Sequence, residues 1–425
     1  MTDSAGQTRW WRAIGPALIV AAVVLGPGSL VTASRVGCEH GAALLWVLVL
    51  ATAVMTGAVV VAASVGRTLE RTPGEELAAA LGRGASAAVG VTLFLVVVSF
   101  QGSNNAAVLA GLEPLGLGAV GLAGEAAALL AINAAVAAVF WLGRDLYRPI
   151  ERLMKLLVGL MAAAFVLNVA LAQPSLAEAA RGLVPSIPDG ATLLPRWVVD
   201  GDGAGRRVDP LASVTAMIAT TFSIAAAYYQ SYLVREKRRL GDPTAGSRVD
   251  AVLGIAALGL ATSLVMLTSA AVLHGRVPPS ELTSVQAVAD QLRPLFGAAA
   301  SWVFAVGILA GAFSSFLVNA LIGGTLLADG FGWPSGMNDR AQKIGTTVAL
   351  LLGAAVAIVA KGQGNQIEAI VLMQKLTLLG GPLLAAALLY LGHRAGAPKW
   401  AMALAALGAA LVVVVAGREA YLLTL

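Results

Sequence analysis

Eleven long apolar stretches constrain what this chain can fold into more than any other feature of its sequence. A helix that crosses a bilayer needs about 20 apolar residues, and five of these eleven stretches contain no charged residue. Of the 425 residues, 58% are hydrophobic and 12% are charged, whereas about 25% are charged in an average soluble domain. A soluble protein could not cover so much apolar surface, so we predict an all-α integral membrane protein. Soluble enzymes, secreted disulfide scaffolds and disordered chains are excluded. The predicted spans, numbered 1 to 11 in chain order, are residues 13–34, 42–66, 86–112, 118–142, 150–172, 210–234, 250–274, 298–327, 343–360, 366–391 and 399–424.

The distribution of Lys and Arg predicts how the chain lies in the membrane. With the N-terminus inside and the C-terminus outside, the inner loops carry about twice as many basic residues as the outer ones, as the positive-inside rule requires. The cluster Arg235–Arg239 then marks an inner loop. Basic residues are spread along the loops, so we predict the lipid bilayer and a transported solute or ion as partners and no nucleic acid. Arg outnumbers Lys by 22 to 6, which indicates a GC-rich bacterial genome and hence the bacterial cytoplasmic membrane.

Two segments outside the spans have recognisable patterns. Residues 174–209 form the only long polar stretch, with several Pro and Gly, and are predicted to be an extracellular loop with a short helix. Residues 67–85 have the pattern of an amphipathic intracellular helix. In that segment Thr72 and Glu75 have the spacing of a capping box, and Pro73 occupies the first helical position.

Span 1 is interrupted in its middle by Gly26, Pro27, Gly28 and Ser29. Proline removes a backbone donor and glycine tolerates unwound geometry. Within lipid, such a break is tolerated only where protein buries it or where it lines a cavity, and many secondary transporters build their binding sites from interrupted helices. We therefore predict a binding site at this break, the alternative being a simple proline kink in a packed helix.

Two further spans carry unusual groups of uncharged polar residues. Span 6 contains hydroxyls and two tyrosines, which could line a polar cavity or could form an interfacial tyrosine belt. Span 3 contains amides, which need partners inside a membrane and could contact a solute or bond neighbouring helices. The residues concerned are Ser223, Tyr228 and Tyr229 in span 6, and Gln101, Ser103, Asn104 and Asn105 in span 3.

Ionisable residues within the spans are few. Lys375 in span 10 is a functional candidate because a membrane-buried ammonium is expensive unless it is paired. Glu125 in span 4, Asp250 in span 7 and His274 are other candidates for proton coupling. The sequence has no cluster of His, Cys, Asp and Glu with metal-ligand spacing and no nucleotide-binding or hydrolase motif, so neither a cofactor nor an enzymatic activity is predicted. Cys38 is the single cysteine, which excludes an intramolecular disulfide.

Stretches spread over almost the whole chain resemble the NRAMP family of proton-coupled divalent-metal transporters. They are residues 15–46, 147–176, 182–188, 220–234, 304–331 and 373–382. This resemblance implies one transmembrane transporter domain, residues 1–425, with a LeuT-type fold. Spans 1 to 5 (residues 13–172) and spans 6 to 10 (residues 210–391) would form a 5+5 inverted repeat, and span 11 (residues 399–424) would be appended.

The sequence departs from the family pattern where the resemblance implies metal ligands. The family's Asp-Pro-Gly-Asn becomes Gly26-Pro27-Gly28-Ser29, and its Met-Pro-His becomes Ser223-Ile224-Ala225. The acidic residues of the family's third span are also absent. Only the family's span 10 glutamine is matched, by Gln374. No protein metal ligand set is therefore predicted.

These departures lead to an expectation about the cargo. We expect a secondary transporter that moves a small polar or anionic organic solute by alternating access, the alternative being a largely hydrated divalent ion such as Mg²⁺ or Mn²⁺. A non-transporting sensor is a third class. Coupling to protons, to sodium or to neither is left open by the sequence, as is the oligomeric state. The expected binding residues are Gly26, Pro27, Gly28, Ser29, Ser223, Ala225, Ala226, Tyr228 and Gln374, and the expected polar pathway is Gln101, Ser103, Asn104 and Lys375.

Overall fold

The computed structural model describes residues 15–112, 121–143, 147–187, 192–199, 205–242, 244–279, 300–362 and 366–424. In that part of the chain, nine helices are long and apolar enough to cross a membrane, and two bent helix pairs bring the number of spans to eleven. This agrees with the number predicted from the sequence.

The helices and strands follow one another in the order expected of a many-span membrane protein. Their bounds are α1 Pro16–Val24, α2 Pro27–His40, α3 Leu45–Thr68, α4 Pro73–Leu81, α5 Arg83–Leu112, α6 Gly121–Leu142, α7 Tyr147–Ala172, α8 Leu176–Gly182, β1 Arg196–Val199, β2 Gly205–Val208, α9 Ala212–Thr221, α10 Ile224–Arg239, α11 Arg248–Val272, α12 Ala300–Phe331, α13 Arg340–Lys361, α14 Gln366–Leu376, α15 Gly381–Arg394 and α16 Lys399–Leu422.

Span 1 consists of two half-helices, α1 and α2, which meet at an angle of 55°. Gly26 caps α2 in an extended conformation, and Pro27 occupies its first turn. Both features follow from proline, because it disfavours helical geometry in the preceding residue and has no backbone N–H to continue the helical ladder. The interruption predicted from the sequence is therefore a true break.

Two other spans contain a break or a bend. Span 6 divides into α9 and α10, and the Ser223 hydroxyl caps α10 by accepting a hydrogen bond from the backbone of Ala226 at 3.5 Å. Span 10 divides into α14 and α15, which are bent by 47°. The sequence analysis gave span 10 the bounds 366–391 and made no prediction of this bend. Pro382 lies in the first turn of α15 and cannot donate to the helical ladder of the preceding turn.

Close packing between spans 3 and 8 depends on glycine. A Cβ atom added at Gly90 of α5 would lie 2.9 Å from the Cα atom of Gly330 of α12. Small residues at such positions let helix backbones approach within lipid, where no hydrophobic effect drives helices together. Span 8 is thereby held in the interior of the bundle, beside the half-helices of span 1.

The segment between spans 5 and 6 is more ordered than the sequence indicated. The predicted short helix is α8, and its N-terminus is capped by the Ser175 hydroxyl. In addition, β1 and β2 pair as an antiparallel ribbon in which Arg196 lies opposite Val208 and Val199 lies opposite Gly205. We predicted no strand in this segment.

The helix predicted within residues 67–85, between spans 2 and 3, is α4, which is shorter than the predicted range. Thr72 and Glu75 make both hydrogen bonds of a capping box at the start of α4, and Pro73 occupies the first turn. The adjacent basic cluster has a structural role, because Arg235 donates to the carbonyl of Glu70 and Arg238 donates to the carbonyl of Arg67. Cations at the C-terminal end of a helix such as α3 stabilise its exposed carbonyls.

Candidate functional site

The break of span 1 lies against the end of α14 in span 10. A Cβ atom added at Gly28 would lie only 2.0 Å from Gln374 Nε2, so the bare backbone of the break touches the glutamine amide. The Gln374 Nε2 atom donates to Ser103 Oγ at 2.9 Å. Its carbonyl oxygen, Oε1, is buried without a hydrogen-bond partner among the described residues. An unpaired buried oxygen is costly, so this atom is available to a ligand.

The hydroxyls near the break are partly occupied by local hydrogen bonds. Ser29 Oγ donates to the carbonyl of Val24 at the end of α1. Thr32 Oγ1 donates to the carbonyl of Gly28 at 2.8 Å and lies 3.3 Å from Thr220 Oγ1 of α9. Spans 1 and 6 therefore meet beside the break through Thr32 and Thr220, neither of which we had counted among the binding residues.

The span 6 residues lie inside the bundle. Ser223, Ala225 and Ala226 are buried at the start of α10. Tyr228 is also buried, and its ring packs against that of Tyr232 with centroids 6.3 Å apart. The interfacial tyrosine belt is therefore the wrong alternative for Tyr228. The contacts of the described residues do not join Tyr228 to Gly28 or Gln374, so its role as a binding residue stays a prediction.

Most of the span 3 amides bond neighbouring helices. Gln101 Nε2 donates to the carbonyl of Phe316 in span 8 at 3.0 Å, and Asn104 Nδ2 donates to Gln101 Oε1 at 3.0 Å. Asn133 of span 4 donates to Asn105 Oδ1 at 2.7 Å. Ser103 differs from the other three residues because it is the partner of Gln374. Of the span 3 residues in the predicted polar pathway, Ser103 is therefore the one whose hydroxyl contacts Gln374 at the break.

Lys375 does not supply a free positive charge to the site. Its ammonium group lies 3.2 Å from Asp209 Oδ2 and 2.8 Å from Glu419 Oε2, and Arg418 pairs with both carboxylates. We name Asp209, Lys375, Arg418 and Glu419 the four-charge network. It contains two positive and two negative groups, so Lys375 is paired and brings no net positive charge to the break.

Asp209 precedes α9 and lies outside the spans. Burial raises its pKa, but the hydrogen bond from Arg418 and the positive charges of Lys375 and Arg418 lower it more. The net result is a pKa below the ordinary value. Asp209 is therefore ionised at neutral pH, as the four-charge network requires.

The other ionisable candidates have structural partners. Glu125 pairs with Lys361 of α13 at 2.8 Å. Asp250 caps α1 by accepting hydrogen bonds from the backbone nitrogens of Gly15 at 2.8 Å and Ala17 at 3.1 Å. His274 Nδ1 lies 2.9 Å from the carbonyl oxygen of Cys38. None of these contacts tests a role in proton coupling, which stays a prediction.

The arrangement at the break is one of neutral oxygens. Backbone carbonyls, hydroxyls and the Gln374 amide are present, and no group of three or more His, Cys, Asp or Glu side chains that could hold a metal occurs within the described ranges. Sequence reasoning missed Ser314 and Ser315 of span 8, whose hydroxyls bond the end of α1. Two adjacent serines in the middle of a largely apolar span were the signal that could have identified them.

Known proteins resemble this chain over nearly its whole length. A family model described as natural resistance-associated macrophage protein-like matches residues 17–425. A divalent metal cation transporter MntH from Acidiphilium cryptum is 25% identical over 439 residues, covering 96% of this chain and 90% of that protein. Its namesake from Verminephrobacter eiseniae is 25% identical over 382 residues, covering 88% of this chain and 80% of that protein.

Solved structures resemble the fold. A manganese transporter from Eremococcus coleocola superposes with a TM-score of 0.75 at 17% identity, covering 98% of this chain and 87% of that one. A transporter of the nucleobase-cation-symport-1 family superposes with a TM-score of 0.51 at 15% identity, covering 88% of this chain and 77% of that one. The predicted fold class, an all-α membrane protein of the LeuT type, is confirmed by these likenesses.

Proposed function

Because the chain belongs to the Nramp family of membrane transporters, we propose that it carries a divalent metal ion across the membrane by alternating access. The family match spans the chain from span 1 to its end, and the relatives described above are named as divalent metal cation transporters. Membership of a transporter family also agrees with the expectation that the chain is not an enzyme. The ion would bind at the break of span 1, beside Gln374.

The proposed divalent metal ion replaces the small polar or anionic organic solute that the sequence analysis expected. That expectation combined the absence of the family's charged ligands with the helix N-termini at the break and the positive charge of Lys375, and the four-charge network neutralises the charge of Lys375. The N-terminus of α2 alone offers only a partial positive charge. The names of the relatives support the same cargo, since they specify divalent metals.

A single feature carries the proposal: Gln374 has a buried Oε1 atom without a partner, and the amide group to which that oxygen belongs lies against the bare backbone of Gly28. Carbonyl and amide oxygens are hard ligands, which suit Mg²⁺ and Mn²⁺ rather than soft metals. A cation bound here would give the Oε1 atom of Gln374 the partner that it lacks. Ser29 and Ser223 are the hydroxyl-bearing residues of the breaks in spans 1 and 6, and they complete the proposed ligand set.

The neutral character of the ligands predicts weak binding of an ion that keeps part of its water. At an effective dielectric constant of about 20, one carboxylate at about 4 Å contributes roughly 4 kcal/mol of attraction, which corresponds to about three decades of affinity. The site at the break has no such carboxylate. Mg²⁺ loses its water reluctantly and commonly retains several water ligands, so it fits a site whose oxygens are neutral.

Uptake by proteoliposomes tests the proposal. We expect the purified chain to take up Mg²⁺ or Mn²⁺ with saturable kinetics, and we expect Gly28→Ala to reduce that uptake at least about fivefold. The added methyl group would collide with the Gln374 amide, and overpacking of about 1–3 kcal/mol corresponds to a loss of roughly 5-fold to 150-fold.

Gly159→Ala is the matched control, because no atom lies within 4 Å of a Cβ atom added at Gly159 in α7. This variant should transport as the unmodified chain does. Uptake of a small carboxylate with no uptake of either metal would contradict the proposed cargo. Unchanged metal uptake by Gly28→Ala would contradict the proposed position of the site.

A further inference from the structure

A cavity of about 60 Å³ lies beside the C-terminal half of α10. Its wall is formed by α10, by Thr325 of α12, by Thr72 at the start of α4 and by residues 335–337 of the loop between spans 8 and 9. One water molecule needs roughly 10–15 Å³ of such space, so the cavity has room for about four to six waters. That is enough for one small polyatomic ion or for the headgroup of a larger molecule.

Two arginines give the cavity wall a net positive charge. Arg235 and Arg239 line the cavity together with one acid, Glu236. Arg239 Nη1 lies 3.6 Å from Glu236 Oε2, and its side chain keeps 68% of its exposure. Exposed ion pairs of this kind are weak, so Arg239 can turn to a ligand at little cost. Arg235 donates to the carbonyl of Glu70, and a guanidinium group with five N–H donors has capacity for a ligand as well.

Hydroxyl groups add further donors to the wall. Thr325 Oγ1 is buried and makes no hydrogen bond of ordinary geometry with any described residue, its polar neighbour being the Tyr229 hydroxyl. Ser335 lines the cavity from the loop after α12. A buried hydroxyl without a firm partner is costly, and a ligand that accepts its hydrogen would remove that cost.

A buried carboxylate behind the wall is already compensated. Asp329 accepts hydrogen bonds from the Thr72 hydroxyl, the backbone nitrogen of Gly74 and the Tyr232 hydroxyl. Thr72 and Tyr232 also line the cavity, but their hydroxyl hydrogens are directed to Asp329. A wall that combines the remaining donors with a net positive charge favours an anion over a cation. The residues that offer these donors are Tyr229, Arg235, Arg239, Thr325 and Ser335.

We propose that this cavity binds a phosphate group, either as free phosphate or as the headgroup of a membrane lipid. Guanidinium groups match pairs of phosphate oxygens in a bidentate way, and the Thr325 hydroxyl donates to a further oxygen. Basic pockets between membrane helices on the cytoplasmic side suit lipid headgroups, and the cluster Arg235–Arg239 is predicted to lie on that side. The phosphate site shares no residue with the proposed metal site. Bound phosphate would join α10 to span 8 and to the loop that follows it.

Thermal unfolding in detergent tests the binding and identifies the source of the phosphate. A ligand that binds only the folded chain raises its apparent stability. We expect the unfolding midpoint of the purified, EDTA-treated chain to rise and to saturate in one of two comparisons. A rise with sodium phosphate, relative to sodium chloride at the same ionic strength, identifies free phosphate. A rise only with a short-chain phosphatidylglycerol, relative to the diacylglycerol of the same chain length, identifies a lipid headgroup.

Variants of the cavity wall locate the effect. Arg239→Gln should raise the half-saturating concentration of phosphate or phosphatidylglycerol at least about tenfold, and Thr325→Val, which keeps the shape of the side chain, should raise it about fivefold. Arg239 is largely exposed, so its replacement is compatible with folding. Arg248→Gln is the matched control, because Arg248 at the start of α11 is also exposed and is not part of the cavity wall. Its response should equal that of the unmodified chain.

Chemical protection of Arg239 gives the answer without any variant. Phenylglyoxal modifies accessible arginines, and mass spectrometry measures the modified fraction of each. The bound probe should slow the modification of Arg239 and leave that of Arg248 unchanged.

Equal unfolding midpoints with all four additions would overturn the phosphate site. A response that survives in Arg239→Gln/Thr325→Val, or equal modification of Arg239 with and without both probes, would also overturn it. No divalent ion is present in these assays, so failure here leaves the result of the metal uptake experiment unaffected.

Discussion

At the scale of single residues, ion binding at the break depends on which polar atoms are already paired. Asn104 donates a hydrogen bond to Gln101, and Gln101 donates one to the backbone of span 8. Gln374, in contrast, keeps an unpaired oxygen at the break. The sequence could identify all three as polar residues within spans. It could not tell which would be consumed by helix packing, because that depends on contacts between residues more than 200 positions apart in the chain.

Replacement of Gln374 by a carboxylate distinguishes a cation from an anion at the break. Gln374→Glu keeps the shape of the side chain and adds negative charge beside Gly28. We expect the apparent affinity for Mg²⁺ or Mn²⁺ to increase, with about a thousandfold as the upper bound, measured as the half-saturating concentration in uptake. Gln374→Met keeps a similar volume without the oxygen and should weaken metal uptake. Weaker metal uptake by Gln374→Glu would contradict a cation site.

Lys375 should matter for stability and little for transport. Lys375→Met removes one member of the four-charge network, whose side chains keep 7–16% of their exposure. We expect a loss of about 2 kcal/mol of folding free energy, less than the roughly 3–5 kcal/mol for a fully buried pair, measured by thermal or denaturant unfolding. The half-saturating metal concentration should stay the same. A large change in the half-saturating metal concentration with unchanged stability would indicate that Lys375 takes part in binding.

At the scale of helices, proline explains the breaks that sequence can predict. Pro27 made the break of span 1 predictable, and Pro382 offered the same signal for the bend of span 10, although it was not used. The break of span 6 has no proline at Phe222 or Ser223, so only the family resemblance, through its repeat, could place it. The strands β1 and β2 have four residues each. An alternation of apolar and polar residues cannot be recognised in a sequence segment that short, so the sequence did not predict the ribbon.

The half-helix α1 should depend on its cap. Asp250→Ala removes both hydrogen bonds to the N-terminus of α1, and we expect a loss of about 1–2 kcal/mol of folding free energy, as for other helix caps. Asp250→Asn keeps one acceptor oxygen and should lose less. Chemical denaturation of the two variants beside the unmodified chain measures the difference. Equal losses in both variants would indicate that charge, rather than capping, is what Asp250 contributes.

At the scale of the whole molecule, the sequence was sufficient to predict the class of protein and the number of spans. A chain with 58% hydrophobic residues can be solvated only by the bilayer. The cargo was not predictable in the same way. Charge on Lys375 was visible in the sequence, but its neutralisation by Asp209 and Glu419 requires the loop before span 6 and the end of span 11 to meet. The orientation, with the N-terminus inside, stays a prediction.

Acid should weaken the fold through Asp209. Its pKa lies below the ordinary value of 3.8, so the folded state binds its proton less readily than the unfolded state does. The stabilisation is therefore complete above the unfolded pKa and is lost as the pH falls through the lower, folded pKa. We expect the midpoint difference between the unmodified chain and Asp209→Asn to be constant near pH 6 and to shrink towards about pH 3. A difference that grows on acidification would contradict the sign of this shift.

The most direct test of the account is the position of a bound metal. Crystals of the chain soaked in Mn²⁺ should give an anomalous difference peak at the break of span 1, beside Gln374 Oε1, with water among the ligands of the ion. A transport-competent protein with no peak at the break, or with the density of an organic carboxylate there, would contradict the claim that neutral oxygens at this break carry a divalent ion.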